Sequence, residues 1–212
     1  MKVNRESVVR GGLRLLHEVG LEQLTLRLLG RELGVQATAI YWHFASKQAL
    51  LDAMATLLLA EGAKNLLPAK PSATWDVWVS AYGHGLRRTL LGCRNAARMV
   101  AGTRLTDTEY IKTMERIGQR LLESGFTTRQ TVVLLSTVYD YTLSLVQEEQ
   151  AVYPSPGERS PDYDLEQRNA GLSREEFPLL RQAGPILFDK FDRRYKEGLE
   201  LILRGAASLR AE

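Results

Sequence analysis

Apolar residues recur three and four positions apart along most of this chain, the spacing that lines one face of an α-helix. Val8, Gly12, Leu15, Leu16 and Val19 form a first stripe, which Gly20 is expected to close. Leu26, Leu29 and Leu33 share one face of a short second helix. Gly34 stops it by supplying a left-handed conformation, and Val35 can turn inward to plug the corner. Ile40 and Phe44 then point from a third helix into the same core. This leaves Gln36, Ala37, Thr38, Ala39, Tyr41, Trp42 and His43 at the surface or its edge. Ser46 can cap a fourth helix, with Lys47 in its first turn and Leu50, Met54, Leu57 and Leu58 as its stripe. Two short helices joined by a tight turn and feeding a third are the layout of a helix-turn-helix. The plain alternative is an ordinary helical corner whose aromatic residues join the core.

Beyond Pro68 and Pro71 the helical pattern continues. Trp75, Trp78, Val79, Tyr82, Leu86 and Leu90 mark a fifth helix. Capping-box patterns at Thr106 to Glu109, Thr127 to Gln130 and Ser173 to Glu176 predict later starts. Residues 151–165 concentrate proline, serine and charge and predict a mobile loop. A last helix is expected from near Pro185 to about Arg210. No segment reads as a strand or a repeat, so the fold class is all-α. The stretch 131–146 is apolar nearly all round, which predicts burial on more than one side. Its natural partner is the last helix, with Ile186, Leu187, Phe188, Phe191, Tyr195, Leu199, Leu201, Ile202 and Leu203. The same pair from a second chain would complete a four-helix bundle and a homodimer, the symmetry with which helix-turn-helix proteins read DNA. Both could equally be core helices of a monomer.

Charge sharpens the first reading. Residues 1–47 carry seven basic and four acidic side chains, so the net charge of +3 for the whole chain resides there. Phosphate attraction requires such an excess, although a solvated surface would show it too. At 212 residues and 44% hydrophobic content there is material for one large or two small cores. Cys93, the single cysteine, cannot form an internal disulfide. Glu6, Arg10, Arg14 and Glu18 interrupt any N-terminal apolar run, and none elsewhere approaches membrane-spanning length. A cytoplasmic protein with no membrane partner is the expectation. The histidines His17, His43 and His84 are scattered, and no phosphate loop, dinucleotide fingerprint or nucleophile motif occurs. No catalytic residue, metal or cofactor is therefore expected, and the chain is read as no enzyme.

Thr25, Arg27, Leu29, Leu33, Gly34, Val35, Ile40, Tyr41, Trp42, His43, Phe44, Ser46, Lys47, Ala49, Leu50 and Leu51 together resemble the DNA-binding domain of the TetR family of transcriptional regulators. Gly30 departs from the alanine usual there, at a small expected cost in helix stability. Segments 94–106 (RNAARMVAGTRLT), 125–126, 177–183 (FPLLRQA), 187–189 and 198–202 are similar to the C-terminal domain of the tetracycline-repressor branch of that family. The resemblance implies a DNA-binding domain at 1–47 and a helical effector-binding and dimerisation domain at 48–212. It implies a repressor that binds a palindromic operator in double-stranded DNA as a homodimer and is released by a small molecule. Rival readings are a constitutive DNA-binding activator and a helical small-molecule-binding protein.

On DNA, Arg27, Gln36, Thr38 and Ala39 are expected at base edges with Thr25 and Ala37 beside them, and Tyr41, Trp42, His43 and Lys47 on phosphates. The effector pocket implied by the resemblance comprises Ala63, Tyr82, Leu86, Val100, Thr103, Arg104, Met114, Arg116, Leu135, Tyr139 and Asp140, with Glu148 and Leu179 or Leu180 reaching in from a partner chain. Helix 4 would act as the lever and the Gly-Thr-Arg turn at 102–104 as the trigger. Several departures argue against magnesium-tetracycline. Val100 stands where that branch has a magnesium-binding histidine, and valine cannot ligate a metal. Ala63 and Tyr82 replace the drug-holding histidine and asparagine, and Asp140 replaces a further histidine. The expected effector is instead multi-ring or aromatic, stacking on Trp75, Trp78, Tyr82, Tyr139 or Tyr141 and oriented by Asp140 or Arg104. Trp75 and Trp78 read at least as well as core.

Overall fold

The computed structural model describes residues 4–104, 108–155 and 157–209. Asn4 opens α1 (Arg5–Gln23) with a reciprocal cap, its side chain accepting from the Ser7 amide at 2.8 Å. Gly20 is left-handed, with φ 79°, but kinks the helix rather than ending it, and one more turn runs to Gln23. The short helices α2 (Leu26–Glu32) and α3 (Ala37–Tyr41) follow, then α4 (Lys47–Gly62), which Ser46 caps through the Ala49 amide at 3.1 Å. A single 3-10 turn, Ala63–Leu66, ends this half two residues before Pro68. Val8, Leu15, Leu16, Leu29, Ile40, Phe44, Leu50 and Met54 are buried together, so the predicted stripes of the first helices do meet in one core.

The larger half is built on α5 (Trp75–Leu91), short α6 (Ala96–Ala101), α7 (Thr108–Glu123) and the long α8 (Thr128–Val152). Thr127 and Gln130 form the expected capping box. The box proposed at Thr106 begins outside the described residues. Trp75 packs edge-on against Phe126 with ring centroids 4.9 Å apart, and Trp78 is buried beside it, so both tryptophans serve the core. The chain then passes through α9 (Leu165–Ala170) and α10 (Pro178–Phe188) to α11 (Phe191–Leu209). Among the described residues there is no strand, only an isolated bridge between Ser155 and Glu158.

Two expected boundaries shift. Ser173 does bind the Glu175 and Glu176 amides, both at 3.3 Å, but it closes a turn and α10 starts at Pro178. The last helix is two helices: Pro185 lies inside α10, and the chain breaks at Asp189, which pairs with Arg159. Apolar spacing runs unbroken from Ile186 to Phe191 and so concealed the break. Described residues within 151–165, expected as a mobile loop, take part in local structure. Ser160 donates to the Val152 carbonyl at 2.8 Å, a 3-10 turn spans Pro161–Tyr163, and the Tyr163 ring lies 5.5 Å from that of Phe188.

α8 is two-sided as its composition requires. It packs on α5, α6 and α7, and on another side on α11, where Tyr141 stacks on Tyr195 at 5.4 Å. Arg87 ties α5 to both helices through Glu149 at 2.7 Å and Asp192 at 2.6 Å. Val132, Val133 and Leu201 remain exposed on the outer face of this pair.

Candidate functional site

The helix-turn-helix forms because its inner and outer faces differ in character. Thr25 caps α2 by accepting from the Leu28 amide at 3.1 Å, and Leu26 and Leu29 turn into the core. Gly34, with φ 67°, makes the turn, and the Val35 amide returns to the Gly30 carbonyl at 2.9 Å. A Cβ on Gly30 would sit 3.0 Å from the Val35 carbonyl oxygen, so the missing side chain lets the turn and α3 lie close against α2. Ile40 and Phe44 anchor α3 from beneath, and the Arg5 guanidinium lies 4.9 Å above the Phe44 ring.

The outer face contradicts the ordinary-corner alternative. Trp42 is 89% exposed and Tyr41 55%, whereas Ile40 on the same helix is fully buried. Arg27, Gln36 and Thr38 are exposed beside them, and Ala37, Ala39 and His43 are half-buried at the edge. A tryptophan so open to water on a short helix marks a surface made to be covered. Lys47, expected on a phosphate, also has a partner within the chain. Its ammonium donates to the Leu21 carbonyl at 2.9 Å and holds the start of α4 to the end of α1.

A polar joint, which spacing alone did not reveal, connects this unit to the larger half. Asn95, the residue before α6, is left-handed (φ 56°), and its Oδ1 accepts from the Leu21 amide at 3.1 Å. Arg94 donates through its guanidinium to the Glu18 carbonyl at 3.3 Å and through its amide to His17 Nδ1 at 3.4 Å. Arg98 pairs with Glu22, and that hydrogen bond holds the Glu22 carboxyl below its ordinary range. At the far end of α6, Gln48 of α4 donates to the Gly102 carbonyl at 3.0 Å, and Asp52 accepts from the Arg104 amide at 3.2 Å. One end of α6 therefore grips α1 and the other α4, the helices before and after the helix-turn-helix that presents the exposed aromatic face. Partners up to 77 residues apart carry no local sequence signal.

Beyond α6 lies a cleft of about 530 Å³, lined by Ala101, Tyr139, Asp140, Leu143, Ser144, Gln147, Glu148, Ala151 and Tyr163. Of the expected pocket wall it gathers Tyr139, Asp140 and Glu148. Burial pushes the Tyr139 hydroxyl up to about 12, so it stays a neutral donor. Glu148 is paired with Arg194. Asp140 is exposed and makes no ion pair or side-chain hydrogen bond among the described residues. Ser144 and Glu148 also border a second hollow of about 380 Å³ between α8 and α11, which ends at Leu201.

The other expected wall residues do not reach the cleft. Ala63, Tyr82, Leu86, Val100 and Leu135 are packed in the core. Tyr82 shares a hydrogen bond of 3.3 Å with Tyr110, and burial pushes its hydroxyl well above the ordinary range. Thr103 is half-buried and donates to the Val100 carbonyl at 3.0 Å, Met114 packs on the core, and Arg104 and Arg116 are exposed. Leu179 and Leu180 of α10 lie open to solvent. Leu143, Ser144, Gln147 and Ala151, not singled out from the sequence, line the cleft and share with Asp140 the helical face that i+3, i+4, i+7 and i+11 spacing defines. Tyr163 arrives from the irregular segment, where no periodicity could place it. Among the described residues no group of three or more histidine, cysteine, aspartate or glutamate side chains could hold a metal ion. No described helix is long and apolar enough to cross a membrane.

Residues 8–54 match the family model of bacterial regulatory proteins, tetR family, and residues 67–210 match that of the tetracyclin repressor-like C-terminal domain. The class A tetracycline repressor of transposon 1721 from Escherichia coli is 36% identical over 99% of this chain and 93% of its own length. A possible TetR family transcriptional regulator from Streptomyces coelicolor A3(2) superposes with a TM-score of 0.86 at 31% identity, covering 97% of this chain and 100% of that one. A structure of class A TetR with 5a,6-anhydrotetracycline and magnesium gives 0.69 at 30% identity, over 98% and 99% of the two chains. With both halves matched and in their expected order, the chain belongs to the TetR family of bacterial transcriptional regulators.

Proposed function

We propose that this regulator is a cytoplasmic repressor that binds an inverted-repeat operator as a homodimer and leaves it when a small molecule enters the Tyr139–Tyr163 cleft. It acts by binding and release, without turnover. The observation that carries this reading is α6, whose ends are bonded to α1 and α4 while its last residue, Ala101, lines the cleft. Residues 1–47 form the reading unit and 48–212 the sensing and pairing unit. Arg27, Gln36, Thr38 and Ala39 meet base edges, with Thr25 and Ala37 alongside, while Tyr41, Trp42 and His43 meet phosphates. Lys47 adds charge nearby while bracing α1. In the second copy the same exposed strip of Val132, Val133 and Leu201 completes a four-helix bundle, and the partner's Leu179 or Leu180 closes the cleft.

An effector that draws α8 and α6 together strains the Gln48–Gly102 and Asp52–Arg104 bonds and so tilts α4. Because operator half-sites have fixed spacing, a small change in the separation of the two reading helices lowers affinity. The magnesium held in the class A structure lacks a ligand atom at Val100, and among the described residues Asp140 and Glu148 belong to no group of three or more metal-binding side chains.

Selection of bound sequences from a random duplex library tests the reading. An enriched inverted repeat, bound by the wild type and lost by the Arg27→Ala, Tyr41→Ala variant, is expected, with affinity falling steeply as salt rises. Absence of any enriched sequence at moderate salt would refute it.

A further inference from the structure

Resting on the cleft being the effector site, we propose that its ligand is a planar aromatic monocation, recognised by Asp140 without a divalent metal. Two tyrosines, Tyr139 and Tyr163, supply ring faces, and Leu143 and the small residues Ala101 and Ala151 leave room for a flat body. The charges decide the rest. Glu148 is neutralised by Arg194, whose guanidinium also donates to the Leu187 carbonyl. Asp140 has no such partner, and its neighbours one turn away on α8, Ser136, Thr137, Leu143 and Ser144, are all uncharged. Among the described residues, one negative charge on the lining thus has no ion-pair partner.

A ligand that fills the cleft takes water from this carboxylate. A neutral body leaves the charge desolvated and unpaired, and an anion adds repulsion, whereas an ammonium or protonated ring nitrogen replaces the lost hydration with a charge-assisted hydrogen bond. Among the described residues no group of three or more metal-ligating side chains stands at the cleft to hold a magnesium ion beside the ligand. A cation over a tyrosine face gains further attraction.

Two tricyclic probes of similar size separate charge from shape: proflavine, a planar cation, and acridone, its uncharged counterpart. Each is titrated by fluorescence into the full chain, without DNA, in EDTA and again with excess magnesium. The expected result is proflavine binding about tenfold tighter than acridone, and an Asp140→Asn variant that loses about tenfold for proflavine alone, the worth of one charged hydrogen bond. Magnesium changes neither curve. Asp140 is exposed and makes no ion pair or side-chain hydrogen bond among the described residues, so the variant is expected to fold as the wild type does. Equal affinity for the two dyes, an unaltered Asp140→Asn curve, a magnesium requirement or no binding of proflavine would each overturn the inference. A Tyr139→Ala control separates this from the underlying reading. If it weakens both dyes while Asp140→Asn weakens neither, the cleft stands as the effector site and only its preference for a cation falls. If Tyr139→Ala changes no curve, the site itself is misplaced.

Discussion

Replacing Asn95 by alanine removes two things at once from the joint between the reading unit and α6. The Leu21 amide loses its acceptor, now 3.1 Å away, at about 1 kcal/mol for a partly buried bond. Alanine must also hold φ 56°, a left-handed conformation that asparagine tolerates and alanine does not, for about 1 kcal/mol more. The sum, about 2 kcal/mol, corresponds to a fall in Tm of about 4–8 °C for a chain of this size. Asn95→Gly separates the contributions, because glycine keeps the backbone conformation and loses only the acceptor, leaving about half the deficit. Thermal unfolding followed by circular dichroism measures both variants, and operator titration shows whether the loosened joint also weakens DNA binding. Equal melting of the alanine and glycine variants would refute the backbone part of this reasoning. An alanine variant that melts with the wild type would refute the whole of it.

Trp42→Ala is expected to lower operator affinity while leaving stability within about 0.5 kcal/mol, since an exposed side chain contributes little to the fold; titration and melting of one preparation check both. Gly85→Ala places a Cβ 2.2 Å from the Asn65 carbonyl oxygen, and backbone cannot rotate away, so a loss of about 1–3 kcal/mol is expected. Gly205, in α11 with nothing within 4 Å of a built Cβ, gains about 0.5–1 kcal/mol as alanine, and chemical denaturation of the pair checks the opposite signs. Burial lifts the Cys93 thiol to about 11, so the native chain at pH 8 is expected to react with a disulfide dye far more slowly than the unfolded chain. The sign for stability follows: the native state favours the protonated thiol, so this contribution is full below the ordinary thiol pKa and is lost as pH rises toward about 11.

The reading unit was legible because each of its determinants is local. Gly34 sets the turn, Ile40 and Phe44 fix which way α3 faces, and what remains outside is a matter of periodicity. The same logic failed where structure depends on distant partners. Tyr82 lies on the buried stripe that spacing predicted for α5, yet its hydrogen bond to Tyr110 depends on which helix is packed opposite. Lys47 was placed by its position in the first turn of α4 beside the exposed face, while the carbonyl it also meets belongs to Leu21 on α1, 26 residues away. The joint around Asn95 and the entry of Tyr163 into the cleft depend on tertiary geometry, and no spacing rule encodes them. The break at Asp189 was hidden for a different reason, since the apolar pattern continues through it.

Of the three tryptophans, Trp75 and Trp78 are enclosed and Trp42 stands in water, so the chain carries a built-in optical reporter. Light emitted near the red edge of its fluorescence, and the part quenched by iodide or acrylamide, originates from Trp42. If Trp42 meets the duplex as proposed, docking shields that ring without touching the enclosed pair. Operator occupancy, and its reversal by any candidate effector, can thus be followed in unlabelled protein through a single surface residue.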